Sequence, residues 1–502
     1  MPDSTLTTPG STAAPAELTA AEIEWIDRSL IDESVRMPVM FFFTTAQTWL
    51  LAATVIGFVC SMKLHSPEFL GNWSFLTYGR LWPAYTNILV YGWGLPAGIG
   101  TAIWMTARLC RVVLRAPWIP IISGIFWNIG VTVGVIAVLA GNMQPYELLE
   151  FPRQASVLLF IAYALIGAWG VVMFRKRRPG HVYISLWYFV GAFFWFPWLY
   201  ASANLMVGSE HIHGVVHAAI AAWYAQGLLG YFFASVGMGA IYYLIPKVIG
   251  KPIVSYNLAL LGFWSFELFW GLTGMVRLTG GPLPVWYSSL SIAALILLLI
   301  PVGTVGVNIL MTMKDDTHMV YHSPAIRFTM YGTVAWLVGM VITILGSVRE
   351  MDPETHFTQF STGTFHLLVY AFFTMTMFGA MYYIVPRLVG CEWLSATFIR
   401  LHFWGAGYGM GLIILLMIIA GVAQGWYWNN PAQLPPDVKY FGPVEVLTEI
   451  MPYLRGESIG WIPLGIAQVL FFIHFIAMLL RLGQPSGEPT LFAPMTEGEQ
   501  GH

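Results

Sequence analysis

The 502 residues are 57% hydrophobic, 16% aromatic and only 10% charged; a soluble domain carries roughly a quarter charged residues, so a water-soluble enzyme is excluded. Twenty-three basic against 25 acidic residues give a net charge of −2, which offers no field for nucleic acid. Cys60, Cys110 and Cys391 stand far apart with no CxxC and no Cys/His cluster, so neither a disulfide framework nor a thiolate metal site is indicated.

Residues 1–36 form a polar segment without the apolar core of a signal peptide, in which Leu18–Val35 reads as a short surface helix. Apolar runs long enough to span a bilayer, about 20 residues each, follow near 38–61, 83–106, 118–140, 154–174, 181–206, 214–245, 255–277, 285–313, 326–348, 362–388, 395–422 and 459–480. The connection 423–458, with Asn429, Asn430, Pro431, Pro435 and Pro436, reads as an ordered outer loop. The tail from Gln484 is rich in Gly, Pro and Glu and reads as disordered. The expected fold is therefore an all-α polytopic membrane protein of about twelve transmembrane helices. It divides into a polar segment 1–36, a membrane domain 37–482 and a tail 483–502.

One face of the expected bundle receives Arg28, Arg36, Arg108, Arg111, Arg115, Arg175-Lys176-Arg177-Arg178, Lys247, Lys251, Lys314, Arg327, Arg387, Arg400 and Arg481. The other receives only Lys63, Arg80, Arg153, Arg277, Arg349, Lys439 and Arg455. This bias places both termini in the cytoplasm of an integral membrane protein, expected in a bacterial inner membrane. An internal repeat is also present. Residues 238–250 read MGAIYYLIPKVIG and residues 378–390 read FGAMYYIVPRLVG, and the same offset pairs Gln226 with His366. Such repeats place a site between repeated helices and also occur in transporters.

Several stretches resemble subunit I of the haem–copper oxidase superfamily, specifically its cbb3-type branch. YGRLWPAYTN (78–87) is similar to the family's GRLRPLHTN, and WYAQGLLGYFFASVGMGAIYYLIPK (223–247) to its WYGHNAVGFFLT…GMMYYFLPK. KPIVSYNLALLGFW (251–264), PLPVW (282–286), TGTFHLLVY (362–370), RLHFW (400–404) and GVAQGWYW (421–428) have counterparts as well. The resemblance runs over roughly residues 70–480. It implies a twelve-helix subunit I bundle in which a low-spin haem feeds a high-spin haem beside a copper, with neutral imidazoles as ligands.

Carried over position by position, most of those ligands are replaced. The copper histidine of the family's GHNAV motif falls on Gln226, and the paired copper histidines on Val276 and Arg277. The cross-linked tyrosine falls on Trp270 and the high-spin haem ligand on Thr364. The two low-spin ligands fall on Tyr85 and His366. Valine has no donor atom, and a guanidinium has no lone pair to offer. Neither copper nor a high-spin haem is expected. At the low-spin slot two readings stand: one b-type haem held through His366, with or without Tyr85, or a Tyr–His hydrogen bond filling an empty slot.

Arg277 and Glu267 are ionisable groups where the family has a copper ligand and an apolar residue. Either Arg277 pins a polar network in the vacated centre, or it snorkels to the outer surface. His211, His213 and His217 read as an interfacial cluster, and Tyr242, Tyr243, Ser255 and Tyr256 as helix-packing hydroxyls. Glu150 resembles a carboxylate on the calcium and propionate side of the family, and His402 reads as structural. Three functions follow. The first is a non-catalytic subunit I homologue that scaffolds other respiratory subunits such as c-type cytochromes. The second is a working terminal oxidase or nitric oxide reductase. The third is a transporter or channel using the vacated cavity.

Overall fold

The computed structural model describes residues 20–430 and 442–486. Among them, twelve helical spans are long and apolar enough to cross a membrane. They are α1 (Ala20–His65), α2 (Tyr78–Cys110), α3 (Trp118–Ala140), α4 (Arg153–Arg175), α5 (Ile184–Val207), α6 (Val215–Ile249), α7 (Tyr256–Leu278), α8 (Val285–Met313), α9 (Pro324–Gly346), α10 (Gln359–Val389), α11 (Ala396–Asn429) and α12 (Pro443–Leu479). The fold is all-helical: no strand occurs among the described residues, only an isolated bridge between Cys391 and Pro485.

Burial sorts the spans into two classes. The apolar stretches of α2, α6 and α10 are wholly inside the protein, whereas those of the other nine are 39–56% buried and face lipid on one side. The three central helices share a further feature. Each is interrupted by a π-helical stretch, at Ile88–Gly94, Leu229–Ala234 and Leu367–Thr374. These begin within three residues after Tyr85, Gln226 and His366. A π-turn takes up an extra residue, shifts the face presented by the next turn, and is frequent at functional sites. Here the stretches let aromatic side chains meet on the axis: Phe233 stacks edge-on against Phe373 at 4.6 Å, and Trp93 donates to Thr374 at 2.8 Å. The repeat segments of α6 and α10 both end in a left-handed glycine, Gly250 (φ 73°) and Gly390 (φ 76°), the usual helix stop for a residue without a Cβ.

Three boundaries differ from the sequence reading. α1 runs unbroken from Ala20, so the junction expected at residue 36 lies inside a helix. Its polar first turns are held by Arg178 on Asp27 (2.8 Å) and Arg108 on Asp32 (3.3 Å). α11 continues to Asn429 and α12 starts at Pro443, so most of the expected loop 423–458 is helical. The charged residues Glu445, Glu449, Arg455 and Glu457 interrupt the apolar pattern there, and residues 431–441 lie outside the described residues. After α12 the chain pairs Glu392 N with Gln484 O at 2.8 Å and Ser486 N with Gly390 O at 3.1 Å. The rest of the tail reading, from residue 487, falls outside the described residues, as does the segment before residue 20.

Candidate functional site

Tyr85 and His366 open the π-interrupted halves of α2 and α10, and both side chains are fully buried. They meet directly. The Tyr85 hydroxyl lies 2.7 Å from His366 Nε2, and the rings are stacked at 5.7 Å with an interplanar angle of 16°. His366 Nδ1 lies 2.8 Å from Thr362 O, and a carbonyl only accepts. In the neutral ring the proton therefore sits on Nδ1, and Nε2 accepts from the tyrosine. The surroundings are aromatic: Trp461 stands edge-on to Tyr85 at 5.7 Å, and Trp82 tilts against both rings at 5.6 and 6.3 Å. Gly57 is pressed beneath them, where an added Cβ would come within 2.8 Å of Tyr85 and collide with Trp461.

This geometry does not fit an axially ligated iron between the two side chains. A single metal–nitrogen bond is about 2 Å, so two axial donors need a separation of about 4 Å. The observed donors are at hydrogen-bond distance, and rings fill the flanks.

The second group of positions lies across α6 and α7. The helix of α7 stops at Trp270, and Val276 and Arg277 sit on a 3-10 turn, Gly274–Leu278, rather than on the helix. Trp270 Nε1 donates to the backbone oxygen of Gln226 at 2.7 Å. Gly230, one turn further on, is where that indole is seated, and any side chain there would overlap it. Arg277 reaches Gln226 Oε1 only at 3.5 Å but donates to Glu147 at 2.6 Å. Its carbonyl oxygen accepts from His356 Nε2 at 3.1 Å, and His356 Nδ1 faces Asp352 at 3.1 Å. Thr364 Oγ1 donates to Ser361 O at 3.0 Å. Gln226, Val276, Arg277 and Thr364 share one cavity of about 650 Å³, rimmed by Glu147 and His356.

As a donor set these residues do not suit copper: one apolar side chain, one guanidinium already ion-paired, one amide and one hydroxyl contain no imidazole. Arg277 thus neither fills the centre with a buried network nor reaches out alone; it is tied at the cavity mouth to Glu147. Glu267 is elsewhere. It faces α5 and α6, where Ser235 Oγ donates to Oε1 at 3.2 Å and Tyr231 OH to its backbone oxygen at 3.1 Å, while Oε2 is buried with no partner. Glu147, His356 and Asp352 were not singled out from sequence, because residues so distant from Arg277 in the chain, His356 by 79 positions and Glu147 by 130, leave no local pattern.

The remaining candidates make hydrogen bonds and ring contacts with their neighbours. His217 Nδ1 lies 2.8 Å from Tyr146 OH, with His213 edge-on to it at 6.2 Å, and no His/Cys/Asp/Glu group able to hold a metal occurs among the described residues. Tyr256 donates to Val182 O, Tyr183 donates to Tyr242 O at 2.8 Å, and Ser255 caps α7. Tyr243 stacks edge-on with Trp104 at 5.7 Å. His402 lies 2.8 Å from Tyr382 OH and stacks on Phe471. Glu150, in the connection before α4, accepts from Asn87 at 2.8 Å. Burial pushes its carboxyl up to about 7, despite the opposing hydrogen bond from Asn87.

The chain belongs to the cytochrome c and quinol oxidase polypeptide I family, whose model matches residues 37–462. It is similar to the cbb3-type cytochrome c oxidase subunit CcoN1 of Stutzerimonas stutzeri, 26% identical over 391 residues that cover 76% of this chain and 82% of the relative. It is also similar to a cytochrome c oxidase subunit 1 homologue of the bacteroid of Bradyrhizobium diazoefficiens, 25% identical and covering 89% and 82% of the two chains. A chain of a haem–copper terminal oxidase dimer superposes with a TM-score of 0.68 at 16% identity, covering 93% of this chain and 86% of that one, which establishes the shared fold. The protein is thus an integral membrane subunit of the cytochrome c oxidase subunit I type, in a family whose oxidases use haem and copper.

Proposed function

We propose that this chain is a non-catalytic subunit I homologue. It would scaffold a respiratory or electron-transfer complex in a bacterial inner membrane, without an oxygen-reducing haem–copper centre. The observation that supports the reading is the 2.7 Å contact between Tyr85 and His366, the two positions that match the family's low-spin haem ligands. The replacement of three copper-histidine positions by Gln226, Val276 and Arg277 points the same way.

In this reading the polar ends, 1–36 and 483–502, are cytoplasmic and the lipid-facing outer helices present surface to partner subunits, c-type cytochromes among them. A channel through the cavity is a weaker reading. Phe232, Phe233 and Phe373 pack against one another on the axis between the cavity and the opposite end of the bundle. The test is purification of the full chain from its native membranes in mild detergent, with identification of co-purifying subunits and measurement of oxygen uptake. Co-purification of a c-type cytochrome without uptake attributable to this chain supports the proposal. Cyanide-sensitive uptake by a complex in which this chain is the sole subunit I would overturn it.

A further inference from the structure

At the end of the bundle opposite the cavity, the three central helices finish with the same pair of features. α2 carries Trp104 and then Arg108, α6 Tyr243 and then Lys247, and α10 Tyr383 and then Arg387. The three rings meet edge-on, with centroids 5.7 Å (Trp104–Tyr243), 5.9 Å (Trp104–Tyr383) and 6.4 Å (Tyr243–Tyr383) apart. Residues four apart share a helix face, so the three cations form a second layer just beyond the aromatic one. The Arg387 guanidinium lies 3.7 Å over the Tyr383 ring, and that of Arg108 lies 5.3 Å from the Trp104 ring centre. Arg28, from the first turns of α1, joins them: the charges acting on Lys247 are those of Arg28, Arg108 and Arg387, with Glu24 opposing.

Two carboxylates stand among these four cations, Asp32 beside Arg108, Arg387 and Arg28 and Glu24 beside Arg28, and leave a net positive charge. Asp32 accepts from Arg108 at 3.3 Å and from Trp104 at 3.0 Å, Glu24 pairs with Arg28, and Asp27 pairs with Arg178. Among the described residues, Lys247 and Arg387 make no ion pair at contact distance, and one Arg387 N–H donates to Tyr383 O at 2.7 Å. A topology signal alone explains cations near a membrane face. It does not require them to converge on the axis of the bundle, where they repel one another.

We propose that this ring is a binding site for a phosphate group. The terminal oxygens of a phosphate match three cationic donors arranged around one axis, and arginine forks and a lysine ammonium are the side chains that recognise them. The group could be carried by a lipid headgroup or by a soluble polyphosphate. The enclosure of α2, α6 and α10 by the outer helices favours the soluble source.

The test uses the full chain in a zwitterionic detergent, melted against rising inorganic pyrophosphate at constant ionic strength. The expected result is a saturable rise in melting temperature. Its midpoint moves at least tenfold higher in the Lys247→Gln/Arg387→Gln double variant and is retained in Lys247→Arg. Lys247 is exposed, so Lys247→Gln alone keeps the test open if the double variant is not recovered. In a second arm, nanodiscs of phosphatidylglycerol are compared with nanodiscs of phosphatidylcholine. Protection by phosphatidylglycerol that the same variants abolish supports the site with a lipid as its source. No rise in either arm, a rise matched by sodium chloride at equal ionic strength, or a rise indifferent to the substitutions overturns the proposal.

Discussion

The hydroxyl of Tyr85 donates to Nε2 of His366 across 2.7 Å, while Nδ1 of the same imidazole donates to Thr362 O at 2.8 Å. Both ring nitrogens are thereby used, and the two side chains tie α2 to α10 at the level of their π-helical stretches. The pair satisfies two buried polar groups with each other, and that sets the first expectation. Tyr85→Phe strands His366 Nε2 in an apolar site and should cost about 1–3 kcal/mol. The double variant Tyr85→Phe/His366→Leu, which removes both polar groups, should recover part of that loss. Denaturant titration in detergent checks it, and a Tyr85→Phe variant as stable as the parent would contradict the pairing.

Gly230 and Trp270 make a second tight relationship. The indole that donates to Gln226 O lies where a side chain at position 230 would have to go. Gly230→Ala should therefore destabilise by about 1–3 kcal/mol or more, through overpacking in an interior that cannot relax. Gly250→Ala, at a helix end with open space around it but a positive φ, should cost less, about 1 kcal/mol. Melting temperatures of the two variants, compared side by side, decide the order.

Arg277 sits at the cavity mouth with 27% of its side chain exposed, and its partner Glu147 is 57% exposed. An ion pair so open to solvent is worth about 0–1 kcal/mol. Arg277→Leu should thus leave expression and melting nearly unchanged. A loss of several degrees would show instead that a buried polar network depends on the guanidinium.

Glu150 contributes to the pH dependence. Its folded carboxyl titrates at about 7, above the ordinary value of 4.5, because burial disfavours the charge. The folded state then holds a proton that the unfolded state has released between those two values, so this group's contribution is complete below about 4.5 and is lost as pH rises towards 7. Glu150→Gln should flatten the fall in melting temperature over that window and stabilise the protein at pH 7 and above, by an amount on the order of 3 kcal/mol at most. Parallel melting curves of parent and variant from pH 4.5 to 8 would contradict it.

The spans were legible because a lipid-facing helix must be apolar over its whole width, and 57% hydrophobic content leaves few other places for those residues. The same criterion truncated α1 and α12, whose ends continue through Glu24, Asp27 and Asp32 or Glu445, Glu449 and Arg455; ion pairs and solvent, not lipid, satisfy those turns. That Tyr85 and His366 lie at similar depth followed from topology, since both open spans from the same face. The π-helical stretches were not legible, because nothing in ILVYGWG or LLVYAFFT distinguishes five-residue from four-residue hydrogen bonding. The Glu147, His356 and Asp352 rim was hidden for another reason: it is assembled from loops far apart in the chain.

The most direct measurement is the dithionite-reduced minus air-oxidised optical spectrum of the purified full chain, with haem, iron and copper counted per polypeptide. With Tyr85 and His366 paired and the copper positions replaced, no haem is expected through His366 and no copper, and His366→Ala should leave the spectrum unchanged. A b-type band abolished by His366→Ala would show that the Tyr85–His366 pair opens to admit iron, and two haems with one copper would restore an oxygen-reducing centre; either result contradicts the account.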